Sequence, residues 1–161
     1  MKMSKKIILK TGLNKHAFFV ARALGCNLSE VYYGDYKFNK VEDCKFAAIL
    51  GNADFSGCEN LDISKLKFIK GNLVVNDTAN VSFNVEYVGK NVFGVNAVNL
   101  NLPNLKEAGE GIYLNDATVL SLESLEEAKV LYANKHLVEK RSAFVVARAK
   151  RTYEKELLQG E

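Results

Sequence analysis

A period of about 20 residues runs through the middle of this chain and constrains its fold more than any other feature. In register, one unit reads Leu100-x-Leu102-x-x-Leu105-x-x-Ala108-x-x-x-Ile112-x-Leu114-x-Asp116. The next reads Leu120-x-Leu122-x-x-Leu125-x-x-Ala128, followed by Leu131-x-Ala133-x-Lys135. Upstream lies Leu61-x-Ile63-x-x-Leu66-x-x-Ile69-x-x-x-Leu73-x-Val75-x-Asp77. Between them, Val81-x-Phe83-x-Val85-x-x-Val88-x-x-x-Val92-x-Gly94-x-Asn96 fits with one residue deleted. A fifth unit fits as Tyr36-x-Phe38-x-x-Val41-x-x-Cys44-x-x-x-Ala48-x-Leu50-x-Asn52. A fixed period of this length marks a solenoid, in which each coil buries its apolar side only by stacking on its neighbours.

Within a unit, Leu-x-Leu alternates as a short strand does, with both leucines on one side. Leu-x-x-Ala/Ile has the spacing of one helical or 3₁₀ turn. Ile-x-Leu/Val alternates again and predicts a second strand. Asn or Asp follows it (Asn52 or Asp54, Asp77, Asn96, Asp116), residues that tolerate a left-handed turn. The stretch Phe55–Asn60 reads as an extra loop, and Pro103 falls just past a first strand, where it costs no ladder bond. The expected fold is therefore α+β: a right-handed parallel β-solenoid of about five 20-residue coils, either leucine-rich-repeat-like or a β-helix, with a capping helix at each end.

The chain of 161 residues suits a single domain, 1–161. Residues 1–34 read as an N-terminal cap, 35–136 as the solenoid and 137–161 as a C-terminal capping helix. In the first cap, residues 5–10 suggest a strand. Asn14 and Gly25 bracket a helix whose Leu13, Ala17, Val20, Ala21 and Leu24 share one face. In the last cap, Val138, Val145, Val146, Ala149, Tyr153 and Leu157 form an apolar stripe. Ala17–Ala23 and Ala143–Ala149 are nearly the same string.

Charge is unevenly spread. Residues 1–29 carry six Lys or Arg and no acid, 30–134 carry nine basic and fifteen acidic side chains, and 135–161 carry seven and four. The coils are acidic and both ends basic. No apolar run nears the roughly 18 residues that a membrane span needs, and the start is too briefly apolar for a signal peptide. The expected location is the cytoplasm. Cys26, Cys44 and Cys58 are odd in number and widely spaced, so neither a disulfide framework nor a zinc site is expected. Cys44 reads as a core hydrophobe matching Ile69, Val88 and Ala108.

The stretch Leu102–Thr118, echoed by Leu122–Ala133, resembles leucine-rich repeats, especially the short degenerate kind of receptor L-domain-like and bacterial or phage-encoded repeat proteins. The likeness covers about 100 residues, without the fixed Asn or Cys of the full signature. It implies protein recognition through the exposed side of the strand ladder.

The second strand offers one outward position per coil: Ile49, Val74, Phe93, Tyr113 and Tyr132. Aromatic and apolar side chains stacked on a surface mark an interface. The expected function is non-catalytic protein binding through this column, with an unidentified protein partner or a second copy. One alternative is a small phage or mobile-element inhibitor of a host nucleic-acid-handling enzyme, of the anti-CRISPR or other anti-defence type, in keeping with the Asn- and Lys-rich, tryptophan-free composition. Another is nucleic-acid binding through the basic ends, where Lys140, Arg148, Arg151 and Lys155 surround Phe144. No enzyme, cofactor or metal is expected. Gly109-Glu-Gly111 is too short to be a phosphate loop, neither Gly-x-Ser-x-Gly nor His-Glu-x-x-His occurs, and His16 and His136 lie at opposite ends.

Overall fold

The computed structural model describes residues 15–39 and 43–133. One helix, α1 (Lys15–Leu24), comes first. It ends as Gly25 predicts: Gly25 turns to φ +66°, its N–H donates to the Arg22 carbonyl, and the Cys26 N–H donates to that of Ala21. This is the Schellman arrangement, in which a left-handed glycine frees two N–H groups to cap the last carbonyls. A 3₁₀ turn at Leu28–Glu30 leads into the strands. The N-terminal strand and Asn14, residues 1–14, and the C-terminal helix expected over 137–161 lie outside the described residues.

In chain order the strands are β1 (Val31–Tyr32), β2 (Tyr36–Lys37), β3 (Ala48–Ile49), β4 (Ala53–Asp54), β5 (Glu59–Ile63), β6 (Phe68–Ile69), β7 (Leu73–Val74), β8 (Ala79–Phe83), β9 (Tyr87–Val88), β10 (Val92–Phe93), β11 (Leu100–Asn101), β12 (Glu107–Leu114), β13 (Val119–Ser121) and β14 (Glu127–Ala133). Every pairing is parallel and joins one coil to the next. The result is a parallel β-solenoid of about five coils, and its coil has three faces. β1, β3, β6 and β9 stack as face one, and β2, β4, β7 and β10 as face two. β12 and β14 run across both, joining them into one bent sheet. β5, β8, β11 and β13 form a separate sheet, face three.

The three-residue step, Leu66 to Ile69 or Leu105 to Ala108, is therefore not a helical turn. Both residues are fully buried, and a bend carries the chain from face three to face one. Spacing alone cannot separate these cases, because a corner and a helical turn each return a side chain inward after three residues. Phe55, Phe83, Leu102 and Leu114 fill the interior between the faces. Tyr32, Tyr36 and Phe46 pack edge to face at its N-terminal end, with ring centres 5.0–5.7 Å apart.

The first unit is seated differently from its sequence reading. Ala48 and Ile49 align with Phe68 and Ile69 on face one, while Ala53 and Asp54 align with Leu73 and Val74 on face two. Phe55–Asn60 is thus no loop: Phe55 is core and Glu59–Asn60 open β5. Tyr36 lies on face two, so the interruption of the period falls after Phe38 instead. Cys44 is buried in the core, but Ile49 holds the position that matches Ile69. At the other end Leu120, expected inward, is 68% exposed, because the ladder register shifts between Leu100 and Asn101.

Left-handed residues mark the exit from face two: Gly57, Asp77, Asn96 and Asp116, with φ between +55° and +71°. Asp77, Asn96 and Asp116 are where the sequence placed them, and Gly57 takes the role assigned to Asn52 or Asp54. Asn60, Asn80 and Asn99 form a second such column at the start of face three. The corner between faces one and two is held by side chains. The Asp35 carboxylate accepts the Asn52 N–H, the Asn52 amide oxygen the Asn72 N–H, the Asn72 oxygen the Asn91 N–H and the Asn91 oxygen the Gly111 N–H, all at 2.8–3.0 Å. Each side chain caps a backbone donor one coil away, a donor that costs about 1–3 kcal/mol when buried without a partner.

Asn72→Ala is therefore expected to lower stability by about 1–3 kcal/mol in urea unfolding, because the Asn91 N–H and amide both lose their acceptor. Asn72→Asp keeps the acceptor but loses the amide donated to Asn52, and should cost less.

Candidate binding face

Face two sets six residues in outward register: Lys37, Asp54, Val74, Phe93, Tyr113 and Tyr132. Four of the five residues chosen from the sequence share this column. Ile49 does not: it stands on face one with its side chain inward, 0% exposed, and Asp54 holds the outward place in that coil. The error traces to the shifted first unit. Lys140, Arg148, Arg151 and Lys155 lie outside the described residues.

The three rings stack along the solenoid axis. Phe93 and Tyr113 are 5.4 Å apart with planes 16° from parallel, and Tyr113 and Tyr132 are 5.1 Å apart at 18°. The spacing is dictated by the sheet, whose strands lie about 4.8 Å apart, so in-register aromatics have little choice but to stack. Gly111 makes room for the middle ring: a Cβ there would meet Tyr113 Cε2 at 2.8 Å. Because Tyr113 is covered by a ring on each face, the middle of the column offers its edge and the Tyr113 hydroxyl. A base or sugar that stacks needs a free ring face, whereas a protein surface can use edges, hydroxyls and apolar area together.

Charge flanks the column differently on its two sides. At the corner preceding face two, Lys70, Lys90 and Lys129 are exposed beside Glu110, whose carboxylate accepts from the Asn91 amide at 2.7 Å. At the corner following it, Asp77 and Asp116 are exposed with Asn96 between them. Over the three coils in which both corners are described, the first edge carries a net +1 and the second a net −2.

Toward the N-terminal coils the same face turns polar. A shallow groove of about 350 Å³ is lined by Asp35, Lys37, Asn52, Asp54 and Asn72, with Tyr36 and Val74. Burial pushes the Asp54 carboxyl up. Hydrogen bonds from Ser56, whose N–H donates at 2.9 Å, together with the nearby Lys37 charge, outweigh burial and hold the carboxyl below its usual range.

Face one carries a second stack that the sequence reading passed over. Phe68 and Tyr87 lie 5.0 Å apart and 10° from parallel. The signal was present in the residue preceding each inward Ile69 and Val88, a position read as part of a helical turn. Helix α1 lies over the start of this face, packing Ala17, Val20 and Ala21 against Val31 and Ala48, with Phe68 at the margin. α1 thus covers the outside of face one at β1 and β3. Beside this column runs a row of alternating charge, Lys67, Glu86, Lys106 and Glu126, in which Lys106 and Glu86 pair at 3.8 Å.

Among the described residues, no group of three or more His, Cys, Asp or Glu could hold a metal ion, and no helix is long and apolar enough to cross a membrane. The chain matches no protein-family model, no curated protein and no solved structure.

Gly111→Ala should displace the Tyr113 ring while leaving the coils intact. With no tryptophan in the chain, the near-UV circular dichroism reads tyrosine stacking directly. That signal should fall, while urea stability changes by no more than about 1 kcal/mol. Asp54 gives a pH signature. Its folded pKa is depressed, so its contribution is present above the unfolded value and is lost as pH falls through the folded one. Between neutral pH and strong acid, Asp54→Asn should therefore lose less stability than the unsubstituted chain.

Proposed function

We propose that this protein is a non-catalytic binding module that contacts another protein through face two. The observation that carries the reading is the register-locked column Val74, Phe93, Tyr113 and Tyr132, half-buried and stacked on a parallel sheet. A surface already ordered by its own ladder loses little side-chain entropy on association, and Tyr and Phe give large contact area for few rotatable bonds. The leucine-rich-repeat likeness of Leu102–Thr118 supports the same reading, since such repeats act through the exposed side of their strands. The edge-on rings favour a protein partner over a nucleic acid.

The test is affinity capture by tagged protein from bacterial lysate, with Phe93/Tyr113/Tyr132→Ala in parallel and circular dichroism to confirm folding. A protein retained by the native chain and lost by the folded triple variant supports the reading. Identical captures by the two overturn it.

A further inference from the structure

We infer that the outer side of α1 docks on an anionic lipid surface, with Phe19 sinking below the headgroups and Lys15 and Arg22 held among them. This site is separate from face two and goes beyond the binding proposed there. α1 buries Ala17, Val20 and Ala21 against Val31 and Ala48 of face one. On the far side of the helix Phe19 is 61% exposed. Burying a Phe ring gains more than burying an alanine methyl, so folding alone would set the ring inward. The helix does the reverse: it gives the sheet two alanines and a valine and leaves the ring in water.

The ring has a particular setting. Lys15 stands four residues before Phe19 and Arg22 three after it, so all three share one side of the helix. Both cations are exposed, and α1 contains no acid. Phe18 meets the ring edge to face, with centres 6.3 Å apart and planes at 74°. The first carboxylate after the helix, Glu30, is paired with Lys65.

Charge selects the occupant. Residues 1–29 carry six Lys or Arg and no acid, whereas residues 30–134 carry a net −6. An anionic surface therefore attracts the part of the chain that bears α1 and repels the coils, which orients the approach. A bilayer suits the shape as well. A ring standing out from a helix between two cations needs a partner that parts to admit it and offers phosphates around it. The long basic side chains reach those phosphates while the ring goes deeper. Duplex nucleic acid offers the phosphates but no apolar layer for the ring. One ring and a few charges anchor the contact, so it is weak and salt-sensitive.

Co-flotation of the full chain with vesicles tests this. One set is phosphatidylcholine alone, and the other contains about one-third phosphatidylserine. The chain should float with the anionic vesicles at low salt and stay behind with the neutral ones. Phe19→Ala should weaken binding about ten-fold, and Lys15→Gln and Arg22→Gln about five-fold each. All three side chains are exposed, so thermal unfolding followed by circular dichroism should not change. Because the chain has no tryptophan, Phe19→Trp places a single reporter at the site. Its emission should shift to the blue with anionic vesicles. Flotation with both kinds of vesicle alike, or with neither, overturns the inference. So does binding that Phe19→Ala leaves intact with no blue shift at position 19, which would mean that charge alone holds the chain. Retention by duplex DNA with none by vesicles overturns it in favour of a nucleic acid.

Discussion

The fold depends on satisfying backbone donors at the corners. Strands on faces one and two are mostly two residues long, so a large share of each coil is turn, and its N–H groups cannot all be paired in a ladder. The asparagine column meets this need. Asn52, Asn72 and Asn91 each offer an amide oxygen to the backbone of the next coil, and the Asn72 and Asn91 amide nitrogens donate to the oxygen one coil back. These bonds run between coils, not within them. They fix both the spacing of the coils and their register, and everything displayed on the outer surface inherits that register.

The same corner explains the placement of glycine. A Cβ on Gly89 would strike the carbonyl oxygen of Lys70, and one on Gly109 that of Gly89. Successive coils approach too closely there for any side chain in that direction, so the backbone carbonyl takes the space. Where the pattern changes, the geometry follows. Gly111 stands in place of the next asparagine, and the ladder between β12 and β14 shifts register between Ala108 and Gly111. Asn91 still caps the Gly111 N–H, but Gly111 has no side chain to offer the next coil, at the place where Tyr113 needs the room.

Much of this was legible in the sequence, and the misses share a cause. The period, the parallel stacking, the Gly25 cap and four members of the outward column follow from spacing, because spacing is what repeats. What spacing cannot supply is an absolute frame for a degenerate unit. Tyr36-x-Phe38 and Leu61-x-Ile63 have the same pattern, yet the first lies on face two and the second on face three. A shift of five residues carried Ile49 from the core to an imagined surface. The asparagines that could have set the frame, Asn52, Asn72 and Asn91, are evenly spaced in the sequence, but their role depends on which backbone donors are left over at a bend. That is a three-dimensional fact. The choice between a corner and a helical turn at Leu66–Ile69 is hidden for the same reason.

The inward code is nearly uniform around the coil, whereas the outward code differs face by face. Face one is partly covered by α1 and continues as a row of alternating charge. Face three presents Asp62, Ser82 and Asn101, with Asn101 donating to Ser82 at 3.2 Å and the Asn60, Asn80 and Asn99 amides linked beside them. Its outward groups are thus largely engaged with one another and well suited to water. Against the Phe68 and Tyr87 pair of face one, face two carries the longer run of outward rings, three over successive coils. Folding does not ask for them there, since Asp54 and Lys37 occupy equivalent positions in the earlier coils without disturbing the ladder. A residue type that the fold does not require, repeated at the spacing the fold imposes, is best explained by what it meets outside the fold.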